Sequence, residues 1–309
     1  MKTETQSFYQ AAVERAVARV VRSLDSALDL SSLAREAALS PFHFHRVFRG
    51  MVGETPLEMH RRLRLERAAR QLVSTDDPVT TIAFDAGYET HESFTRVFRR
   101  AFGAAPSSFR NDARGDTARP RQLDLTAPCG VHFSSSYEPT SLVFLIGETT
   151  MHVDIETMAE QRVATVRHVG PYSRIGDAFA RLGELAGRAG LLTPDAATGM
   201  VAIYYDDPET TPPDQLTSDA GIVVKEGITL PAGLVERRLS AGQYARTTHE
   251  GPYTRLGDTW ARLMGDWLPK SGHRVGAGSS FEVYRNTPEN AAPAELRTDL
   301  YVPITGANS

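Results

Sequence analysis

Between residues 30 and 110 the apolar side chains recur at helical spacing. Leu33, Ala34 and Ala37 give a short helix one apolar face, with Ser31 or Ser32 placed to cap it. Ala38-Leu39-Ser40 interrupts the pattern, and Ser40-Pro41 pairs a capping residue with a proline suited to a first helical turn. Phe44, Val47 and Phe48 then fall at i, i+3, i+4 as a buried stripe, and His43, His45, Arg46 and Arg49 lie outside it. The scheme returns with Ile82 and Ala83, a turn at Gly87, and a Phe94, Val97, Phe98 stripe that leaves His91, Glu92, Thr95, Arg96 and Arg99 outside. Pro56–Val73, with Leu65, Ala68, Ala69 and Leu72 on one side and no internal Pro or Gly, predicts a single joining helix of roughly 27 Å at 1.5 Å per residue. From about residue 150 alternation takes over, and strands are expected.

Self-comparison explains this organisation. Ser40–Pro56 aligns with Thr90–Pro106 at a spacing of 50: Phe44 meets Phe94, Arg46 meets Arg96, Gly53 meets Gly103. A different repeat, of about 81 residues, matches His168–Asp177 to His249–Asp258, and Tyr204 to Tyr284 at a spacing of 80. Two unrelated duplications imply a multidomain chain. An all-α N-terminal domain with two helix-turn-helix units is expected over 1–112. A linker is expected over 113–150, opened by an Asn111–Gln122 stretch, rich in Arg, Asp, Gly and Pro, that starts at the domain edge. An α+β C-terminal domain, a duplicated strand-strand-helix-strand-strand unit, is expected over 151–305. Leu142–Ile146 is a further candidate strand whose allegiance is open.

Composition narrows the classes. The 309 residues are 41% hydrophobic and 23% charged, ordinary for a globular protein. One cysteine, Cys129, excludes an intrachain disulfide, and with the polar N-terminus and the absence of a long apolar run it fits a cytoplasmic protein with no membrane partner. The net charge of −4 is unevenly spread: residues 1–121 hold 19 Lys/Arg against 15 Asp/Glu, the remainder 15 against 23. Phe42–Arg70 alone holds 7 Arg and 3 Glu. A solvated helix face accounts for such a stretch as readily as DNA does, and helix patterns alone fit a simple bundle. The duplicated short helix, tight turn and Arg-bearing helix point toward DNA. The joining helix suits two reading helices about one DNA turn, roughly 34 Å, apart.

Residues 8–110 resemble the DNA-binding domain of the AraC/XylS family of transcription regulators. The resemblance rests on Ala34, Leu39-Ser40, Phe48, Gly53–Pro56, Arg62–Ala69, Ile82-Ala83, Gly87-Tyr88, Ser93-Phe94, Arg96, Phe98, Phe102-Gly103, Pro106 and Phe109-Arg110. It implies seven helices, the third and sixth entering two successive major grooves of double-stranded DNA, and RNA polymerase as a further partner. Carried over, the base-reading candidates are Phe42, His45 and Arg46, then His91, Glu92, Thr95 and Arg96. Arg pairs bidentately with guanine and Glu accepts from cytosine. Arg49, Arg99 and Arg100 fit phosphate contacts. His60 stands where the family often has Tyr, and packing is its expected role.

In the second half, alternation puts Phe281 and Val283 on one strand face and Glu282 and Tyr284 on the other; Leu300 and Val302 alternate likewise with Tyr301. With the apolar sets packed on the helices, the other face gathers Glu282, Tyr284 and Tyr301, with Tyr204 from the other copy and Trp260 as either core or pocket residue. A carboxylate among rings suits a flat or amphipathic cation; a solvated strand Glu beside surface tyrosines is the plainer alternative. This half resembles the GyrI-like effector domain through Arg167–Tyr172, Tyr204–Pro208, Ser218–Gly221, His249–Tyr253, Phe281–Tyr284 and Glu295–Ile304. That implies a pocket for drug-like, often cationic molecules, with Glu282 at its centre. His168 and His249, each before a Gly-Pro-Tyr or Glu-Gly-Pro-Tyr turn, are expected to serve that turn.

The expected function is therefore a sequence-specific transcription regulator that senses a small molecule, without catalytic residues, metal or cofactor. Two alternatives remain: a hydrolase of small electrophiles with Glu282 as base and Tyr284 or Tyr301 as acid partner, and a drug-sequestering protein.

Overall fold

A computed structural model describes residues 2–115, 123–139, 141–145, 147, 151–206 and 211–306. The chain folds into two compact units: Gln10–Ala38 with Met51–Leu145, and Met1–Tyr9 with Leu39–Gly50 and Ile146–Ser309.

The helices run in the order α1 (Lys2–Arg22), α2 (Leu30–Glu36), α3 (Pro41–Val52), α4 (Pro56–Ser74), α5 (Val79–Asp85), α6 (His91–Phe102) and α7 (Pro106–Gly115). α4 is the uninterrupted joining helix that its stripe predicts. Thr55 and Glu58 close a reciprocal capping box around its proline start. Leu65, Ala68, Ala69 and Leu72 pack with Ile82, Ala83, Phe94, Phe98 and Phe109 in one core. The cap of α2 is Asp29, whose side chain accepts from the Ser32 N–H; Ser31 and Ser32 lie within the helix. α7 extends through residue 115, so the first residues read as linker are helical.

Much of the Arg-rich stretch serves this helical unit itself. Arg62, buried, donates to Glu54 at 3.0 and 2.5 Å and to Glu66 at 3.0 Å. Glu66 also accepts from the backbone N–H groups of Leu125 (3.0 Å) and Phe133 (2.9 Å), pinning the chain after α7 onto α4. Arg64 donates to the carbonyls of Leu24 and Ser26, and Arg67 to the carbonyl of Asp85. His60 is buried and bonded to the Ser23 carbonyl at 2.9 Å, the packing role expected of it. Leu142–Leu145 forms no strand. Val143 and Leu145 instead make single backbone bonds to Cys129 and Met51, and Ile146 lies outside the described residues.

The other unit is built, among the described residues, on one antiparallel sheet of nine strands: β1 (Asp154–Met158), β2 (Gln161–Val169), β3 (Ala197–Tyr204), β4 (Thr217–Val224), β5 (Val235–Leu239), β6 (Gly242–Glu250), β7 (His273–Val275), β8 (Phe281–Tyr284) and β9 (Arg297–Gly306). Its order is β1-β6-β9-β8-β3-β4-β2-β5, with β7 beside β9. The two copies thus exchange their first strands: β1 borders the second copy's β6, and β5 the first copy's β2. The halves join at β3 and β8, where Ala202 faces Glu282. Helix α8 (Gly176–Arg188) covers the first copy through Ala178, Leu182 and Ala186. Its counterpart α9 (Leu256–Arg262) continues through a π turn into α10 (Leu268–Ser271).

Helix α3 is seated in this second unit. Gly50 lies so close to α9 that an added Cβ would come 2.1 Å from the Ala261 carbonyl oxygen. His43, buried, is bonded through Nε2 to Ser280 Oγ and through Nδ1 to Ser40 Oγ, both at 2.9 Å. Burial, with a smaller push from Arg46, lowers its pKa from 6.5 to about 3.

Ala38 is exposed with φ 54°, at the turn position where the second helix-turn-helix unit has Gly87 at φ 82°. The left-handed region costs an L-residue roughly 1–2 kcal/mol, partly offset by glycine's greater unfolded-chain freedom. Ala38→Gly should therefore raise stability by about 0.5–1 kcal/mol in urea unfolding. For His43, a depressed folded pKa means that its contribution is complete above pH 6.5 and is lost as pH falls toward about 3. Between pH 7.5 and 5.5 the wild type should lose about 1.4 kcal/mol that His43→Gln does not lose, measured by urea midpoints at the two pH values.

Candidate ligand cage and DNA-reading helices

The 80-residue repeat places its own equivalents against each other at the centre of the sheet. Ala202 and Glu282 occupy matching positions in the two copies and pair directly across β3 and β8. The pseudo-twofold axis therefore passes between a methyl group and a carboxylate. Glu282 is buried. Its Oε1 accepts from Trp260 Nε1 at 2.7 Å, and its Oε2 from Tyr284 at 2.8 Å and from Tyr204 at 3.3 Å. The hydroxyls of Tyr204 and Tyr284, also equivalents, lie 3.1 Å apart. Desolvation, followed by the field of Glu282, holds both phenols well above their ordinary pKa, so they remain neutral donors.

A second layer of rings repeats the symmetry. Tyr172 meets Tyr204 edge to face with centroids 4.8 Å apart, and Tyr253 meets Tyr284 at 5.4 Å. Phe179 packs on Tyr284 at 5.5 Å, from the helix position that Trp260 holds in the other copy. The symmetry is broken at Ala202/Glu282 and Phe179/Trp260, and both changes put a polar group on the second copy's side. Beside Tyr204 and Tyr284 in the ladder stand Ser218 and Thr298. Both are fully buried, and their hydroxyls find no partner among the described residues. Two orphaned hydroxyls beside the two phenols suit a ligand with hydrogen-bonding groups.

Of the five residues expected at the ligand site, Glu282, Tyr284, Tyr204 and Trp260 come together. Tyr301 does not. It pairs with Phe281, stacks on it at 4.7 Å, and joins Tyr244, Val163 and Ile203 in a core on the opposite sheet face. The expectation aligned the apolar sets of both strands, but the register sets Leu300 beside Glu282. A one-residue difference exchanges the faces. The face toward α9 is accordingly the one bearing Glu282, and Phe281 packs away from that helix. His168 and His249 bond through Nε2 to the carbonyls of Pro171 (3.0 Å) and Pro252 (3.2 Å), which fits service to those turns.

The DNA-reading candidates fall into two sets. On α6, Glu92, Arg96, Arg99 and Arg100 are exposed, and His91 and Thr95 are half-buried. Thr90 caps the helix, Phe94 and Phe98 anchor it, and it has the length of a major-groove reader. On α3, Phe42 is buried, and His45, Arg46 and Arg49 are half-buried. Arg49 is paired with Asp258 at 3.3 Å. The guanidinium of Arg46 lies 3.8 Å from the Phe42 ring centroid and 3.9 Å from that of Trp260. Sequence reasoning missed the wider cage of Tyr172, Tyr253 and Phe179. The repeat could have found it, because each lies at a position matched in the other copy.

Among the described residues, Glu66, Asp124 and His132 are close enough to share a metal ion. Glu66 is already committed to Arg62 and two backbone N–H groups, an arrangement that closes the helical unit. No helix among the described residues is long and apolar enough to cross a membrane.

Comparison with known proteins gives a family match in each half. Residues 151–305 match the GyrI-like small molecule binding domain, and residues 33–112 a helix-turn-helix domain. The regulatory protein SoxS of Escherichia coli K12 is 32% identical over 103 residues, 33% of this chain and 96% of SoxS. A DNA gyrase inhibitor of Yersinia enterocolitica is 30% identical over 151 residues, 46% of this chain and 89% of that protein. The HTH-type transcriptional regulator Rv1931c of Mycobacterium tuberculosis is 44% identical over 81 residues, 26% of this chain, and the match spans only 31% of its length. The chain belongs to the AraC/XylS family of transcription regulators, with a GyrI-like small-molecule-binding domain as its C-terminal half.

Proposed function

We propose that the protein reads specific DNA sequences through α3 and α6, and adjusts transcription when a planar or amphipathic cation enters the Glu282 cage. The observation that carries this reading is the single buried carboxylate at the pseudo-twofold axis, surrounded by Trp260, Tyr204 and Tyr284. Aromatic faces attract a cation most strongly where water is excluded, by about 2 kcal/mol or more, and a fixed carboxylate adds charge in low dielectric. Glu282 accepts from three side-chain donors and keeps lone-pair room for the N–H donors of a ligand. RNA polymerase is the further partner that the family suggests.

The ligand half is tested by isothermal titration of the full chain with benzamidinium as a flat cationic probe. Glu282→Gln keeps the size of the side chain but removes its charge and turns one accepting oxygen into an N–H donor. It should weaken binding by about 10- to 100-fold, or about 1.4–2.8 kcal/mol; equal affinity in both proteins would refute the cation reading. The DNA half is tested by anisotropy on duplexes selected from a random pool. Arg96→Ala should cost about 1–3 kcal/mol on the selected sequence and relax preference at one base position. Arg99→Ala should weaken binding across all sequences and reduce the salt slope by about 1. Failure to select any preferred sequence would remove the DNA reading.

A further inference from the structure

The face of α3 that carries its DNA-reading candidates is occupied within the protein. Arg46 is held between the rings of Phe42 and Trp260, whose centroids are 6.1 Å apart. Trp260 is the same indole that donates to Glu282. Arg46 is also close enough to act electrostatically on the cage phenol Tyr204. Around it, His43 is bonded to Ser280, Arg49 is paired with Asp258, and Gly50 permits backbone contact with Ala261 and Gly265. The cage thus already has a planar cation beside it, and that cation belongs to a reading helix.

We infer that Arg46 is an internal competitor for the cage, and that the effector is a planar guanidinium- or amidinium-like cation that displaces it and frees α3 to bind DNA. The inference rests on the cation reading of the Glu282 site and adds its regulation. A guanidinium and an amidinium share a flat, delocalised charge that stacks on indole and presents N–H donors at its edge. Those donors suit the carboxylate of Glu282 and the orphaned hydroxyls of Ser218 and Thr298. Seating α3 spends Phe42 and Arg46 on Trp260, so the same side chains cannot at that moment reach a base edge. Effector and DNA therefore favour the same released state, and each must raise affinity for the other.

Titration of the full-length protein with benzamidinium, with and without a random-sequence duplex at low salt, tests this. Arg46→Gln removes the competitor. Gly50→Ala changes neither Arg46 nor a cage residue but places a Cβ 2.1 Å from the Ala261 carbonyl oxygen, which blocks seating. Each variant should bind the probe about 5-fold or more tightly than wild type. The probe should raise duplex affinity in the wild type, and Gly50→Ala should already show that raised affinity without it. If wild type and both variants bind the probe equally, internal competition is overturned and the cation site stands. If none binds it, both readings fall. Should Arg46→Gln fail to fold, Gly50→Ala decides alone.

Discussion

The junction between the two copies in the second half is organised around one buried carboxylate, Glu282. A charge removed from water needs donors, and Glu282 obtains three from Trp260, Tyr284 and Tyr204. To deliver them, β3 and β8 must meet at Ala202/Glu282 and α9 must bring its indole onto the same face. The exchange of β1 and β5 between copies completes the two half-sheets that hold this junction. A duplicated fold would ordinarily put two equal groups at its axis. Here one copy contributes alanine, so the charge at the axis is single.

The same indole joins the Glu282 cluster to α3. Trp260 offers its N–H to Glu282 and its face to Arg46. In the proposed scheme ligand recognition and the seating of α3 draw on one side chain, so no distant relay between effector and reading helix is needed. The α6 helix, capped by Thr90 and anchored by Phe94 and Phe98, carries its exposed Arg96 and Arg99 independently of that linkage.

The helices were legible because their signals are local. Stripes such as Leu65, Ala68, Ala69 and Leu72 follow from spacing alone, and the repeat identified the second helix-turn-helix unit and the duplicated α+β unit. What stayed hidden depends on pairing. The strand exchange has no local signature. The position of Tyr301 hangs on a one-residue register choice between β8 and β9, and alternation within each strand is silent about it. The Arg-rich stretch fits a solvated helix face as readily as a DNA footprint, yet Arg62 and Arg67 are buried structural ties and Arg64 spans to Leu24 and Ser26. Charge counts cannot separate an arginine that closes a helix bundle from one that meets phosphate. The seating of α3 was equally out of reach, since Arg46 suits guanine and indole alike.

A crystal structure of the full chain with a bound planar cation would test the central claim most directly. The cation should lie against Trp260 and Glu282, in hydrogen-bonding reach of the Ser218 or Thr298 hydroxyl, with the Arg46 guanidinium moved out of its ring slot. A cation bound elsewhere, with Glu282 still held only by its three side-chain donors and Arg46 in place, would contradict it.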